Sequence, residues 1–321
     1  TTRDVKLLLD TLKRVDKVDA IVMDLRANGG GSLLEAISLT GLFIDQGPVV
    51  QVKDLRGDIE VSDDTNPGLA WEGPLGVMVD RLSASASEIF AGAIQDYGRG
   101  IIMGTQTYGK GTVQSSIDLN SLVNRSLLQR LAALVNKGTN STASGTPPVI
   151  PQLGQINLTM AKFYRVNGSS TQHKGVLPDV VFPSVFPMDK IGEDTEPSAL
   201  PWDVIQKSAY APIQDLTATR RSLVNLHEER MKNSLEYKML QQEIEDMKKR
   251  DKETSVSLNI NKLKTERDSL EASALDRANK LRALRGLPPV KKGDKIKKEE
   301  TFDFMEDESL LVMADLMRMK K

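Results

Sequence analysis

Ser83, Ser85 and Ser87 alternate within "LSASASEIFAGAIQDYGRG" (82–100), directly ahead of a helix-forming run. Two kinds of chemistry fit a hydroxyl there. Ser85, Ala86, Ser87 and Glu88 read as S-x-x-E, a capping box in which the serine oxygen takes an orphan amide and the glutamate reaches back. A serine at a helix N-terminus also lies among backbone amides that would receive a developing oxyanion, which suits a nucleophile. A hydroxyl attacks poorly until a base takes its proton. Twenty-five residues on, "GTQTYGKGTVQ" (104–114) offers Lys110 between Gly109 and Gly111, with Gln114 four positions further. A lysine is a base only when neutral, which requires burial or nearby positive charge. The flanking glycines permit close backbone approach, although G-K-G by itself also suits an exposed hairpin. "NGGG" (28–31) adds a second source of amides. A close-packed turn and a phosphate loop are its other readings, but neither G-x-G-x-x-G nor a Walker lysine accompanies it.

The elements that would position these groups alternate. "DAIVMDL" (19–25), "PVVQVKD" (48–54), "PLGVMVD" (74–80) and "GIIMGT" (100–105) are short apolar runs that predict strands. Helices are expected at 32–44 and about 87–97, and a polar loop through "DIEVSDDTNPG". This β-α-β-α-β rhythm implies parallel strands under crossover helices, with chemistry at the loops beyond the strand ends. Both the serine row and the lysine are then expected at one sheet edge. Residues 121–154 read as an insertion, first the short helix "SLVNRSLLQRLAALV" and then a Gly/Pro/Ser/Thr-rich surface segment. Strand-like alternation resumes at "QINLTMAKFYRVNGSSTQHKGVLPDVVFP" around an N-G hairpin signal. Beyond about residue 190 the composition becomes charged and helix-favouring, with a last helix near 306–319.

Composition narrows the classes. The 321 residues carry 43 Lys and Arg against 44 Asp and Glu, a net charge of −1, which gives no global pull toward nucleic acid. The lysine-rich run 291–298 is interspersed with acids and lacks aromatic stacking partners, so it argues for no nucleic-acid site either. With no cysteine, thiol catalysis and cysteine metal sites are excluded. His173 and His227 have no partners at metal spacing and read as surface or core residues. No apolar run approaches the length of a membrane span, and no signal peptide is seen. The chain opens directly on an amphipathic helical pattern, so it is expected to be a piece whose targeting segment lies upstream.

"SASASEIFAGAIQDYGRGIIMGTQTYGKGTVQ", with "DLRANGGG" before it and "KGVLPDVVFP" after it, resembles the carboxy-terminal processing proteases, peptidase family S41, and most the bacterial tail-specific branch. The resemblance covers about residues 1–185, and more loosely the helical remainder. It implies an α/β (α+β) protease core of the crotonase and Clp type at 1–188, followed by a mostly α-helical domain at 189–321. It implies a serine endopeptidase of the periplasm, in association with the inner membrane, that engages proteins through apolar C-terminal tails. By position, Ser85 matches the nucleophile, Lys110 the general base and Gln114 the residue that orients the lysine. Asp96 matches an aspartate whose loss impairs some members, with a structural role as its other reading. The Ala86 amide and one from Gly30 or Gly31 would form the oxyanion hole, with Ser83 and Ser87 in support. No cofactor or metal is implied. An upstream PDZ domain is implied and is absent from these residues, and an adaptor lipoprotein or self-association are the expected partners.

Two other classes compete. A non-catalytic scaffold could keep the fold to present its helical domain, but it would need none of Ser85, Lys110 and Gln114. A crotonase-type acyl-CoA enzyme would need carboxylate acid-base groups and a CoA-phosphate site that the residues do not offer. In the helical region, mixed charges predict a solvated face with Leu235, Leu240 and Leu284 packed inward, or else a docking surface.

Overall fold

The computed structural model describes residues 1–137, 152–294 and 302–319. In chain order these form α1 (Thr2–Thr11), β1 (Ile21–Asp24), α2 (Leu33–Gly41), β2 (Gly47–Asp54), β3 (Ile59–Asp64), β4 (Leu75–Val79), α3 (Ala86–Asp96), β5 (Ile101–Gly104) and β6 (Thr112–Asp118). They continue with α4 (Leu119–Leu122), α5 (Arg125–Lys137), β7 (Gln155–Tyr164), β8 (Val180–Val181), α6 (Thr217–Asn233), α7 (Leu235–Asp251), α8 (Ile260–Leu284) and α9 (Phe304–Met319).

Two sheets share the core. One is parallel, in the order β1-β4-β5-β8; the other is antiparallel, in the order β3-β2-β7-β6. The expected rhythm therefore holds for β1, β4 and β5, whereas β2 leaves it for the second sheet. The stretch expected as a polar loop contains β3, paired antiparallel to β2; its two apolar residues, Ile59 and Val61, are exposed, and its last residue, Asp64, is buried. The N-G signal produces a turn at Gly168 and a single bridge between Tyr164 and Ser170 rather than a long hairpin. The polar segment expected to end the insertion falls largely on residues 138–151, outside the described residues, as do 295–298 of the lysine-rich run.

β4 and β5 are buried along their whole length, as central parallel strands must be when both faces are covered. Side chains alternate with period two. Leu75, Val77, Val79 and Ile102 meet Phe43, Phe90 and Ile94 on the side of α2 and α3. Met78, Ile101 and Met103 face the other way, onto Leu216, Leu223, Val312, Met313 and Leu316, most of them from α6 and α9. Gly76 permits that approach, since a Cβ there would lie 2.8 Å from the Met313 sulfur. α3 lies between the two sheets, with Ile89 and Ala93 against Val50 and Phe163 and its opposite side against β4 and β5, which is why it is apolar almost all round.

Residues from beyond position 188 thus complete the layer under the parallel sheet. At the α6–α9 contact His227 bonds Glu308 at 2.8 Å, and Arg230 bridges Glu308 and Asp315. α7 has no buried residue, and α8 buries only Arg282. Leu235 and Leu284, expected to pack inward, are half exposed because these helices meet chiefly through ion pairs such as Arg285 with Glu236 at 3.3 Å. Among the described residues no helix is long and apolar enough to cross a membrane.

Candidate active site

Ser85 stands where β4 hands over to α3, beyond the carboxyl end of the central strand, the place where open α/β sheets hold ligands. It is the N-cap of α3 with φ 56° and ψ −113°, a backbone conformation that a non-glycine residue keeps only when its surroundings enforce it. The capping box is present, and its two arms differ. The Glu88 carboxylate accepts from the Ser85 N–H at 2.7 Å. The serine hydroxyl makes no proper side-chain cap bond, and the Glu88 N–H donates to the Ser85 carbonyl oxygen at 2.9 Å instead. The cap therefore fixes the Ser85 backbone and leaves its oxygen available.

Glu88 is the residue that sequence reasoning undervalued. It is fully buried, and its carboxylate accepts four hydrogen bonds: from Ser85 N–H, from Thr107 Oγ1 at 2.5 Å, from Gly109 N–H at 2.7 Å and from Lys110 N–H at 3.0 Å. Ser85 and Lys110 bond the same oxygen, Oε2, so their nitrogens can be no further apart than those two distances together. Burial pushes the Glu88 carboxyl up to about 7, against the four donors, which favour its ionised form. The S-x-x-E spacing was a local signal for one donor; the three from 107–110 come from a distant segment and had none.

Lys110 is not on a strand but in the crossover from β5 to β6, between the two sheets. Its flanking glycines are buried and tightly packed. A Cβ at Gly109, where φ is +93°, would sit 2.7 Å from the His173 carbonyl oxygen, and one at Gly111 would sit 2.6 Å from the Gln172 nitrogen. Gly109 and His173 also exchange a backbone bond of 2.8 Å, and Gly111 N–H donates to Gln172 Oε1 at 2.8 Å. The exposed-hairpin reading of G-K-G therefore does not hold. Arg81, 1% exposed, secures the outer side of this turn by donating to the Thr107 carbonyl at 2.8 Å and to Asp194 at 2.6 Å.

The amide donors separate clearly. Gly30 N–H is taken by Asn28 Oδ1 at 3.0 Å. Neither Ala86 N–H nor Gly31 N–H makes a hydrogen bond to a described residue. Gly30 is instead the packing glycine: at φ +98° its Cβ would lie 2.6 Å from the Ala84 carbonyl oxygen and 2.8 Å from the Ala86 nitrogen, so the 28–31 turn lies directly on the Ser85 segment. Ser87 Oγ holds that turn through the Asn28 carbonyl at 3.0 Å, and Ser83 Oγ bonds the Leu25 carbonyl at 2.8 Å. Both outer serines are thus supports.

Two expected residues stay apart from this group. Gln114 is exposed on β6 opposite Thr159, and its side chain bonds no described residue. Asp96 lies eleven positions along α3 from Ser85, about 16 Å at helical rise, where Arg165 takes both its oxygens at 2.6 and 2.9 Å and Asn167 adds a third bond at 2.8 Å. That geometry is structural.

A strained serine at a helix start, a lysine-bearing turn tied to it through Glu88, and two backbone amides without a partner among the described residues lie together beyond the end of β4. The chain belongs to peptidase family S41, whose pattern matches residues 1–182, and residues 186–318 match the C-terminal domain of tail specific protease. It is 38% identical to the tail-specific protease of Haemophilus influenzae over 320 residues, which is 98% of this chain and 43% of that protein. It is 36% identical to the carboxy-terminal-processing protease of Bartonella bacilliformis over 180 residues, 56% of this chain and 34% of that protein. The chain thus spans less than half the length of either relative. Among solved structures, the photosystem II D1 C-terminal processing protease matches with a TM-score of 0.43 and 28% identity, over 60% of this chain and 42% of the other.

Proposed function

We propose that the protein is a Ser-Lys endopeptidase that cuts polypeptides engaged through apolar carboxy-terminal tails, in the bacterial envelope. The carrying observation is Glu88, whose Oε2 holds the backbone of Ser85 and of Lys110 at once. Family membership supports the reaction class, and the names of the relatives above support carboxy-terminal tails as the point of engagement.

Ser85 Oγ attacks the scissile carbonyl while the Lys110 amine takes its proton. The negative charge moves onto the carbonyl oxygen, where Ala86 N–H and Gly31 N–H receive it at the positive end of the α3 dipole. The ammonium then gives its proton to the departing amine, which leaves an ester on Ser85. Water repeats the sequence: Lys110 takes its proton, the ester carbonyl is attacked, and Ser85 recovers its hydrogen as the acid departs. Gln114 is assigned to orient the lysine once a substrate strand covers β6. Nothing in these steps uses a metal, so cleavage is expected to persist in chelator.

The test is cleavage of an unfolded reporter with an apolar tail by the full-length protein. Ser85→Ala should reduce cleavage to background with its circular dichroism unchanged. Wild-type cleavage by that variant would overturn the proposal.

A further inference from the structure

A long groove lies between the segment 183–190 and the C-terminal half of α7, with a volume of about 1710 Å³. That exceeds the roughly 300–1,000 Å³ of small-molecule sites and suits a stretch of polypeptide. Val185, Phe186, Pro187 and Met188 form one wall, and Ile244 and Met247 the other. The charges on its rim do not cancel. Lys190 is neutralised by Asp251 at 2.6 Å and Lys248 by Glu245 at 3.0 Å. Lys238, Arg250 and Lys252 form no ion pair with a described residue, and Asp189 is the one lining acid likewise unpaired among the described residues. A net positive potential remains along an apolar channel, which attracts carboxylates.

One wall of the groove is also tied to the candidate active site by hydrogen bonds. Its 183–190 wall runs on into 191–194, and Arg81 binds both the Met188 carbonyl at 3.2 Å and Asp194 at 2.6 Å while holding the Thr107 carbonyl at 2.8 Å. Glu193 N–H adds a bond to the Tyr108 carbonyl at 3.0 Å, two residues from Lys110. One arginine thus joins the groove wall to the turn that carries the lysine.

We propose that this groove is a second substrate site, taking an extended apolar segment with acidic side chains from the same polypeptide that is cut at Ser85. The inference rests on the endopeptidase reading above. A chain lying in the groove would follow the wall toward the Lys110 turn, so that binding there raises the local concentration of the scissile segment.

The experiment uses the full-length protein and two substrates: a short fluorogenic peptide with an apolar end, and an unfolded polypeptide carrying the same cleaved sequence after alternating leucine and glutamate. Combined Lys238→Glu, Arg250→Glu and Lys252→Glu, and separately Met247→Asp, should lower the long-to-short ratio of kcat/KM about tenfold, through KM of the long substrate. Replacing its glutamates by lysines should restore the ratio for the charge-reversed protein. An unchanged ratio, or an equal loss on both substrates, would overturn the proposal. A change of oligomeric mass with the ratio unchanged would assign the groove to a second copy and overturn it as well. If Ser85→Ala still cuts the short peptide, the endopeptidase reading fails by itself. The groove is then judged by fluorescence anisotropy of the labelled leucine-glutamate polypeptide on the Ser85→Ala protein, where binding unaffected by the groove substitutions would reject it.

Discussion

At the scale of residues, the candidate site is organised by one buried carboxylate, Glu88, which holds the backbone of both Ser85 and Lys110. The Glu88 carboxyl is raised by burial from 4.5 to about 7, so the native state holds its proton more tightly than the unfolded chain. Its contribution to stability is complete below pH 4.5 and is lost as pH rises through 7, a difference on the order of 3 kcal/mol. Urea unfolding across that range should show wild type losing this much relative to Glu88→Gln. A constant difference would place the carboxyl's titration elsewhere. The two glycines of the 28–31 turn should also separate. Gly30→Ala meets the Ala84 carbonyl at positive φ and should cost at least about 1–3 kcal/mol in thermal unfolding, whereas a Cβ on Gly31 meets nothing within 4 Å and should be tolerated by the fold. Asp96→Ala leaves Arg165 without its buried partner, 6% and 13% exposed as a pair, and should cost about 3 kcal/mol. Lost cleavage at unchanged stability would make Asp96 catalytic after all. That Ser85 stands at the start of α3 was legible because S-x-x-E spacing marks a helix N-terminus, whereas the Ala86 amide entered only through the family resemblance. Whether Gly30 or Gly31 donates was not legible, because Asn28 Oδ1 on the Gly30 N–H is a matter of turn geometry.

At the scale of elements, α9 reaches the site from the far end of the chain. Asp303 accepts from Met305 and Glu306 N–H at 3.1 Å as the cap of α9, and pairs with Arg26 at 2.7 Å, two residues before Asn28. Asp303→Ala should lower stability by about 1 kcal/mol through the lost cap and reduce kcat more than it raises KM, because it frees the turn that offers the Gly31 amide. An unchanged kcat would separate α9 from the turn. The apolar runs of β4 and β5 announced themselves, since strands buried along their whole length have no polar side to confuse the pattern, and β1 showed the same apolar run although it is only partly buried. β3 was hidden because polar residues outnumber Ile59 and Val61, although its partner β2 is the strand just before it. The inward packing expected of Leu235 and Leu284 failed for a related reason: helical spacing of leucines tells of one face, not of what, if anything, that face meets.

For the whole molecule, the parallel sheet needs residues from both ends of the chain. A polypeptide of 1–188 would expose Met78, Ile101, Met103, Val180 and Phe182, which α6 and α9 cover. It should bind a hydrophobic dye and elute as aggregate in gel filtration, while replacing α7 and α8 by a flexible linker should leave a folded monomeric core. A soluble, cooperatively unfolding 1–188 would refute that layer arrangement. The composition shift near residue 190 was visible in the sequence, but not that helices beyond it return to the core, because their apolar faces match a sheet surface only in three dimensions. The most direct test of the account is a double-mutant cycle on kcat/KM of the full-length protein with an unfolded, apolar-tailed reporter. If Ser85 and Lys110 act as one unit, Ser85→Ala, Lys110→Ala and the pair together should fall to the same floor. Independent, multiplying losses, or a Lys110→Ala protein that cuts at the wild-type rate, would contradict it.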